Sequence, residues 1–76
     1  MKELVEVIAK SLVDDPSAVV VEEKKKDEEI HLELHVAKED MGKVIGKQGR
    51  AAKAIRAIVQ SAAMREGKKV TVDIVD

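Results

Sequence analysis

Seven residues constrain this chain more than any others: Ile30-His31-Leu32-Glu33-Leu34-His35-Val36 alternates strictly between apolar and polar. Side chains on a strand point to opposite faces with a period of two, so Ile30, Leu32, Leu34 and Val36 share one side, and His31, Glu33 and His35 the other. Such a strand must be covered on one face and open on the other. It therefore requires further strands beside it and something apolar packed over it. A chain of 76 residues offers little material for that. Domains near this size bury only roughly 60% of the surface their unfolded chains expose. Self-association would ease the shortfall.

The neighbours of the strand can be read from spacing. Glu3 to Val13 places Leu4, Val5, Ile8 and Leu12 at helical intervals, with Glu6 and Lys10 outward. Asp14-Asp15-Pro16-Ser17 stops that helix, because proline disfavours helical geometry in the residue before it. Ala18 to Glu23 is β-branched and is predicted as a strand. The charged run Lys24 to Glu29 then forms a hairpin tip of undefined turn type.

Beyond the alternating strand, Ala37 to Ile45 is expected as a short helix with Glu39 and Asp40 in its first turn, ended by Gly46. A longer helix is predicted from Arg50 to Glu66. Its stripe is Ala51, Ala52, Ile55, Ile58, Val59 and Ala62, while Arg50, Lys53, Arg56 and Gln60 face away. Gly67 caps it, and Val70, Val72 and Ile74 alternate in a last strand. The order is α-β-β-α-α-β. It implies an α+β fold, a three-stranded sheet with helices packed on one face, forming one domain over residues 1–76. Met41 and Met64 are read as core or edge packing residues.

Cysteine is absent, which excludes disulfides and thiolate metal sites and fits a reducing compartment. The amphipathic, acid-bearing N-terminus lacks the apolar core of a signal peptide, and no run approaches membrane-span length. A cytoplasmic, soluble protein is expected.

Charge is unevenly spread. Residues 1–40 hold six lysines against twelve acids, whereas residues 41–69 hold eight Lys or Arg against one acid. That asymmetry points to an anionic ligand near the second segment, the alternative being a solvated basic face. Within it lies Gly42-Lys43-Val44-Ile45-Gly46-Lys47-Gln48-Gly49-Arg50. Glycines three apart join two helices and let a phosphate approach the main chain. The loop opens into a helix N-terminus, where free N–H groups attract anions, and Lys43, Lys47, Arg50 and Lys53 surround it. A Walker-type nucleotide loop is excluded: three residues separate Gly42 from Gly46, and Gln48 stands where a hydroxyl would bind magnesium.

Val44-Ile45-Gly46-Lys47-Gln48-Gly49, with Ile55 six residues beyond, resembles the KH signature. The element order is similar to the type II version of that fold. The whole chain resembles the short bacterial single-KH RNA-binding family KhpA. The resemblance implies a non-enzymatic function in which the GxxG loop clamps about four nucleotides of single-stranded RNA. It implies roles for Gly46 and Gly49 in close backbone approach, for Lys47 and Gln48 on phosphates, and for Gly42, Lys43, Arg50 and Lys53 around the groove. Ile45 would contribute an aliphatic floor for bases. It further implies a homodimer or a larger KH-containing partner of the KhpB kind, and a role as RNA chaperone or post-transcriptional regulator. A protein–protein interaction subunit built on a dimer surface, or single-stranded DNA binding, are the alternatives. No cofactor, small-molecule substrate or catalytic residue is expected.

With no aromatic residue the chain has no ring stacking, which contributes roughly 1–3 kcal/mol per base where it is used. Weak, salt-dependent, little-selective binding follows. His31 and His35 stand about 13 Å apart along a strand, too far to share a metal ion, and no metal site is expected.

Overall fold

In the computed structural model, which describes residues 1–75, the elements follow the expected order. They are α1 (Lys2–Leu12), β1 (Val20–Lys26), β2 (Glu29–His35), α2 (Met41–Ile45), α3 (Arg50–Arg65) and β3 (Lys69–Val75). The last residue, Asp76, lies outside the described residues. Strand β2 is central, antiparallel to β1 and parallel to β3. A parallel neighbour requires a crossover, and α2 and α3 supply it.

The alternation in β2 sorts the sheet into two faces. Ile30, Leu32 and Leu34 are buried, in register with Val70, Val72 and Ile74 of β3, and Leu34 also pairs with Val21 of β1. Val5 and Ala9 of α1, Val44 of α2, and Ile55, Val59 and Ala63 of α3 close over them as one core. Leu32, Leu34, Val5, Val44, Ile55 and Val59 have essentially no exposed surface. Full burial of such a side chain stabilises by about 1.5–3 kcal/mol. The opposite face has no helix on it and carries Glu22, Lys24, His31, Glu33, His35, Thr71 and Asp73 by the same pleat.

Several boundaries differ from the sequence reading. Ala18 belongs to a 3-10 turn, Pro16–Ala18, because proline pre-sets its geometry there. Strand β1 continues through Lys26, so the hairpin tip shrinks to Asp27 and Glu28 between the paired Lys26 and Glu29. Pairing with β2 overrides the charge of the segment, aided by the cross-strand ion pair from Lys24 to Glu33 (2.6 Å); a second pair, Lys25 to Glu23 (3.7 Å), lies within β1. The expected helix over 37–45 is split into a 3-10 turn, Lys38–Asp40, and the five-residue α2.

The apolar stripes are rotated from those expected. On α1 the inward positions are Val5 and Ala9, continued by Val13 beyond the helix; Leu4 and Ile8 pack at the edge, and Leu12 is exposed. On α3 they are Ala52, Ile55, Val59 and Ala63, so Ile58 is left 48% exposed. Alanines on several sides blur the register of a helical stripe. Met64 is no packing residue, being 77% exposed on the outer side of α3.

Candidate nucleic-acid interface

The turn between α2 and α3 is built on backbone conformations that most residues avoid. Gly46 closes α2 with its N–H donating to the Gly42 carbonyl (2.8 Å), then turns at φ +76°. A Cβ placed on Gly46 would stand 2.8 Å from both the Cβ and the backbone nitrogen of Ala51. Glycine is therefore required twice over at this position, for its φ and for the close approach of α3. Gln48 (φ +57°) and Gly49 (φ +73°) continue the left-handed path, and the Gly49 N–H returns to the Gly46 carbonyl (3.2 Å). At Gly49 only φ demands glycine, because its surroundings are open. Gly42 sits inside α2 with neither constraint.

This path points the loop outward. Lys47 and Gln48 are exposed at its tip, and Arg50 and Lys53 are exposed on the first turns of α3. No side chain caps the N-terminus of α3, which leaves its first N–H groups open toward the same side. Among the described residues neither Lys47, Arg50 nor Lys53 takes part in a salt bridge. The free cations, open helix end and exposed loop tip suit a chain of phosphates. Ile45, at the end of α2, is 40% exposed beside the loop.

Lys43 is placed differently. Its ammonium pairs with the Asp14 carboxylate and lies 3.5 Å from Asp40 Oδ1. The hydrogen bond to Asp14 raises the Lys43 pKa above its usual value. Asp40 is the anchor of this group, 2% exposed, accepting the N–H of Asp15 at 3.0 Å and of Asp14 at 3.3 Å. Burial alone would push its carboxyl upward. The two N–H donors and the Lys43 ammonium outweigh that and hold it below the ordinary carboxylate range. The clasp ties the α1–β1 corner to the start of α2. Sequence reasoning assigned Asp40 to a helix dipole because nothing local reveals a partner 25 residues away.

Arg56, expected to face solvent, donates from Nε to the Val72 carbonyl (3.0 Å) on the outer edge of β3. It thereby occupies one acceptor of an otherwise unpaired strand edge.

Fold, loop and crossover together define a type II KH domain. The match to the family model for the KhpA/KhpB KH domain runs over residues 2–74. The RNA-binding protein KhpA of Clostridium perfringens is 65% identical over 75 residues, which are 99% of this chain and all of that protein. The KhpA of Clostridium acetobutylicum is 60% identical with the same coverage. Among solved structures, Era of Aquifex aeolicus bound to GDP and aluminium fluoride superposes with a TM-score of 0.63 at 25% identity. Era in complex with nucleotides 1506–1542 of 16S ribosomal RNA superposes with a TM-score of 0.61, at an identity of 24% that supports the fold alone. Both matches cover 96% of this chain but only 28% of the Era chain. The chain belongs to the KhpA/KhpB KH-domain family, a family of non-enzymatic KH proteins. No helix among the described residues is long and apolar enough to cross a membrane.

Proposed function

We propose that the chain is a non-enzymatic RNA-binding protein, a single KH domain whose GxxG loop holds the backbone of single-stranded RNA in the cytoplasm. The supporting observation is the exposed loop Gly46 to Gly49, which leads into an uncapped helix end ringed by Lys47, Arg50 and Lys53, none of them in a salt bridge among the described residues. The relatives named as RNA-binding proteins over their full length support the ligand class. In this reading Gly46 sets the loop, Lys47 and Gln48 meet phosphates, and Arg50 and Lys53 extend the contact along α3. Ile45 offers an aliphatic surface to a base. Lys43 serves the site by holding the α1–β1 corner to α2, and Gly42 allows close approach of the strand.

The test is a fluorescence-anisotropy titration of a short labelled single-stranded RNA. Natural chain and the Lys47→Asp, Gln48→Asp double variant are compared at two salt concentrations, with circular dichroism verifying that both fold. Binding that weakens with salt and is lost in the variant supports the clamp. Equal binding by both would sink it, and a matched DNA strand shows whether the 2′-OH contributes.

A second reading, association with another copy or with a larger KH protein of the KhpB kind, is favoured by the outer side of α3. Ile58 stands exposed there beside Ala57 and Ala62. Sedimentation velocity should show a concentration-dependent dimer in the natural chain and a monomer in Ile58→Asp. A monomer in both would remove the homodimer. An RNA chaperone or post-transcriptional regulator needs both surfaces at once.

A further inference from the structure

The helix-free face of the sheet carries charges that β-pairing has forced together. Glu22 on β1, Glu33 on β2 and Asp73 on β3 occupy one row of the register, three carboxylates side by side across adjacent strands. Like charges directly opposite one another destabilise a sheet. Lys24 answers only part of this, with its Nζ 2.6 Å from Glu33 Oε1. The second oxygen of Glu33 and the Glu22 carboxylate have no salt-bridge partner among the described residues.

His35 adds a different kind of donor to the same place. Two residues beyond Glu33 on β2 and on the same face, it lies between Val20 and Val75 of the flanking strands. Its Nε2 is closed off from solvent and has no hydrogen-bond partner among the described residues. A buried ring nitrogen without a partner is a costly arrangement in a native protein. The other histidine of this face shows the contrast. His31 Nδ1 lies 2.6 Å from Thr71 Oγ1, and its Nε2 stands 3.7 Å from Glu29.

Donor atoms of Glu22, Glu33 and His35 all lie within 4.8 Å of one another. In a tetrahedral shell with metal–ligand bonds of about 2.0–2.2 Å, donors stand about 3.3 Å apart. Rotation of two exposed or half-exposed carboxylates closes that difference without moving the strands. Two carboxylates and one imidazole suit a borderline divalent ion of the first transition row; hard ions such as magnesium prefer oxygen alone.

We propose that Glu22, Glu33 and His35 form a binding site for such an ion, of which Zn²⁺ is the representative, with its fourth position open to water. The ion offsets the charge of the carboxylate row and takes the His35 imidazole as its third protein ligand. The site lies on the sheet face opposite the helices, so it stands apart from the proposed RNA clamp.

The test uses the full chain, freed of metal by a chelator and then titrated with Zn²⁺ alone, and follows both imidazoles by heteronuclear NMR. The His35 signals are expected to shift and saturate at one ion per chain while those of His31 stay in place. Zn²⁺ should also raise Tm. Outer-shell partners of a metal typically contribute about 10–100-fold to affinity, so loss of a direct ligand in Glu22→Gln should weaken binding at least about tenfold. The metal-free Glu22→Gln chain should melt no lower than the natural one, because the substitution relieves repulsion, and this separates ligand loss from unfolding. Equal responses from both histidines, unchanged affinity in folded Glu22→Gln, or no response to Zn²⁺ would each overturn the site.

Discussion

Two of the chain's clusters of basic residues have opposite surroundings. Lys24 and Lys25 lie on β1 next to acids: Lys24 reaches Glu33, and Lys25 reaches Glu23. The Glu33 hydrogen bond raises the Lys24 pKa, and the Lys24 ammonium in turn lowers that of Glu33. Lys47, Arg50 and Lys53 surround a turn and a helix end with no acid within salt-bridge distance among the described residues. A paired lysine must give up its partner before meeting a phosphate, whereas an unpaired one releases only counterions and water. What separates the proposed binding surface from a solvated one here is the supply of unpaired cations on a loop and helix end shaped by backbone geometry. Lys43 lies between the two cases: it sits in the basic segment yet is committed to Asp14 and Asp40.

The contrast can be broken most severely at the backbone. Gly46→Ala meets both the positive φ and the contact with Ala51, and strain of this kind costs about 1–3 kcal/mol. Urea unfolding should show that loss, and anisotropy should show RNA affinity falling by about tenfold or more. Gly49→Ala should cost less, since it carries the φ term without the clash.

Next in size is the clasp behind the loop. The Asp40 carboxyl titrates below its ordinary 3.8 in the folded chain, so the native state binds fewer protons than the unfolded one. Its contribution is complete above the unfolded pKa and is lost as pH falls through the folded one. Asp40→Asn should therefore lower Tm at pH 7 and flatten the fall in Tm between about pH 5 and pH 2. A variant with the natural acid limb would show that other carboxylates carry it.

Two paired substitutions then compare the clusters directly. Arg50→Gln with Lys53→Gln should reduce the slope of log affinity against log salt by about 1.4, at about 0.7 per lost single-strand phosphate contact. Lys24→Gln with Lys25→Gln should leave that slope unchanged and affinity within about twofold, because exposed ion pairs contribute little. Equal effects of the two pairs would mean that total charge, not the loop, governs binding.

The order of elements and the identity of the turn glycines were legible because each rests on local physics. Ile30 to Leu34 alternate in the structure as they do in the sequence, and positive φ at Gly46 and Gly49 is what a tight turn between helices demands. Legibility failed where a residue's environment comes from a distant segment. The Asp40 clasp was hidden because its donors are Asp14 and Asp15; the Lys43 ion pair, because its partner is Asp14; the Arg56 hydrogen bond, because its acceptor is on β3. The rotation of the α3 stripe, which leaves Ile58 outside, was hidden by alanines that fit either face.

The α-β-β-α-α-β order, the covered face of the central strand and the place of the glycine turn follow from the amino-acid pattern alone, since periodicity and backbone permissiveness act over a few residues. Which cations are free, which carboxylate is buried, and the meeting of Glu22 with Glu33 and His35 on the open face come from the folded arrangement. Those outcomes depend on strand register and helix packing, which bring together groups that no local pattern relates.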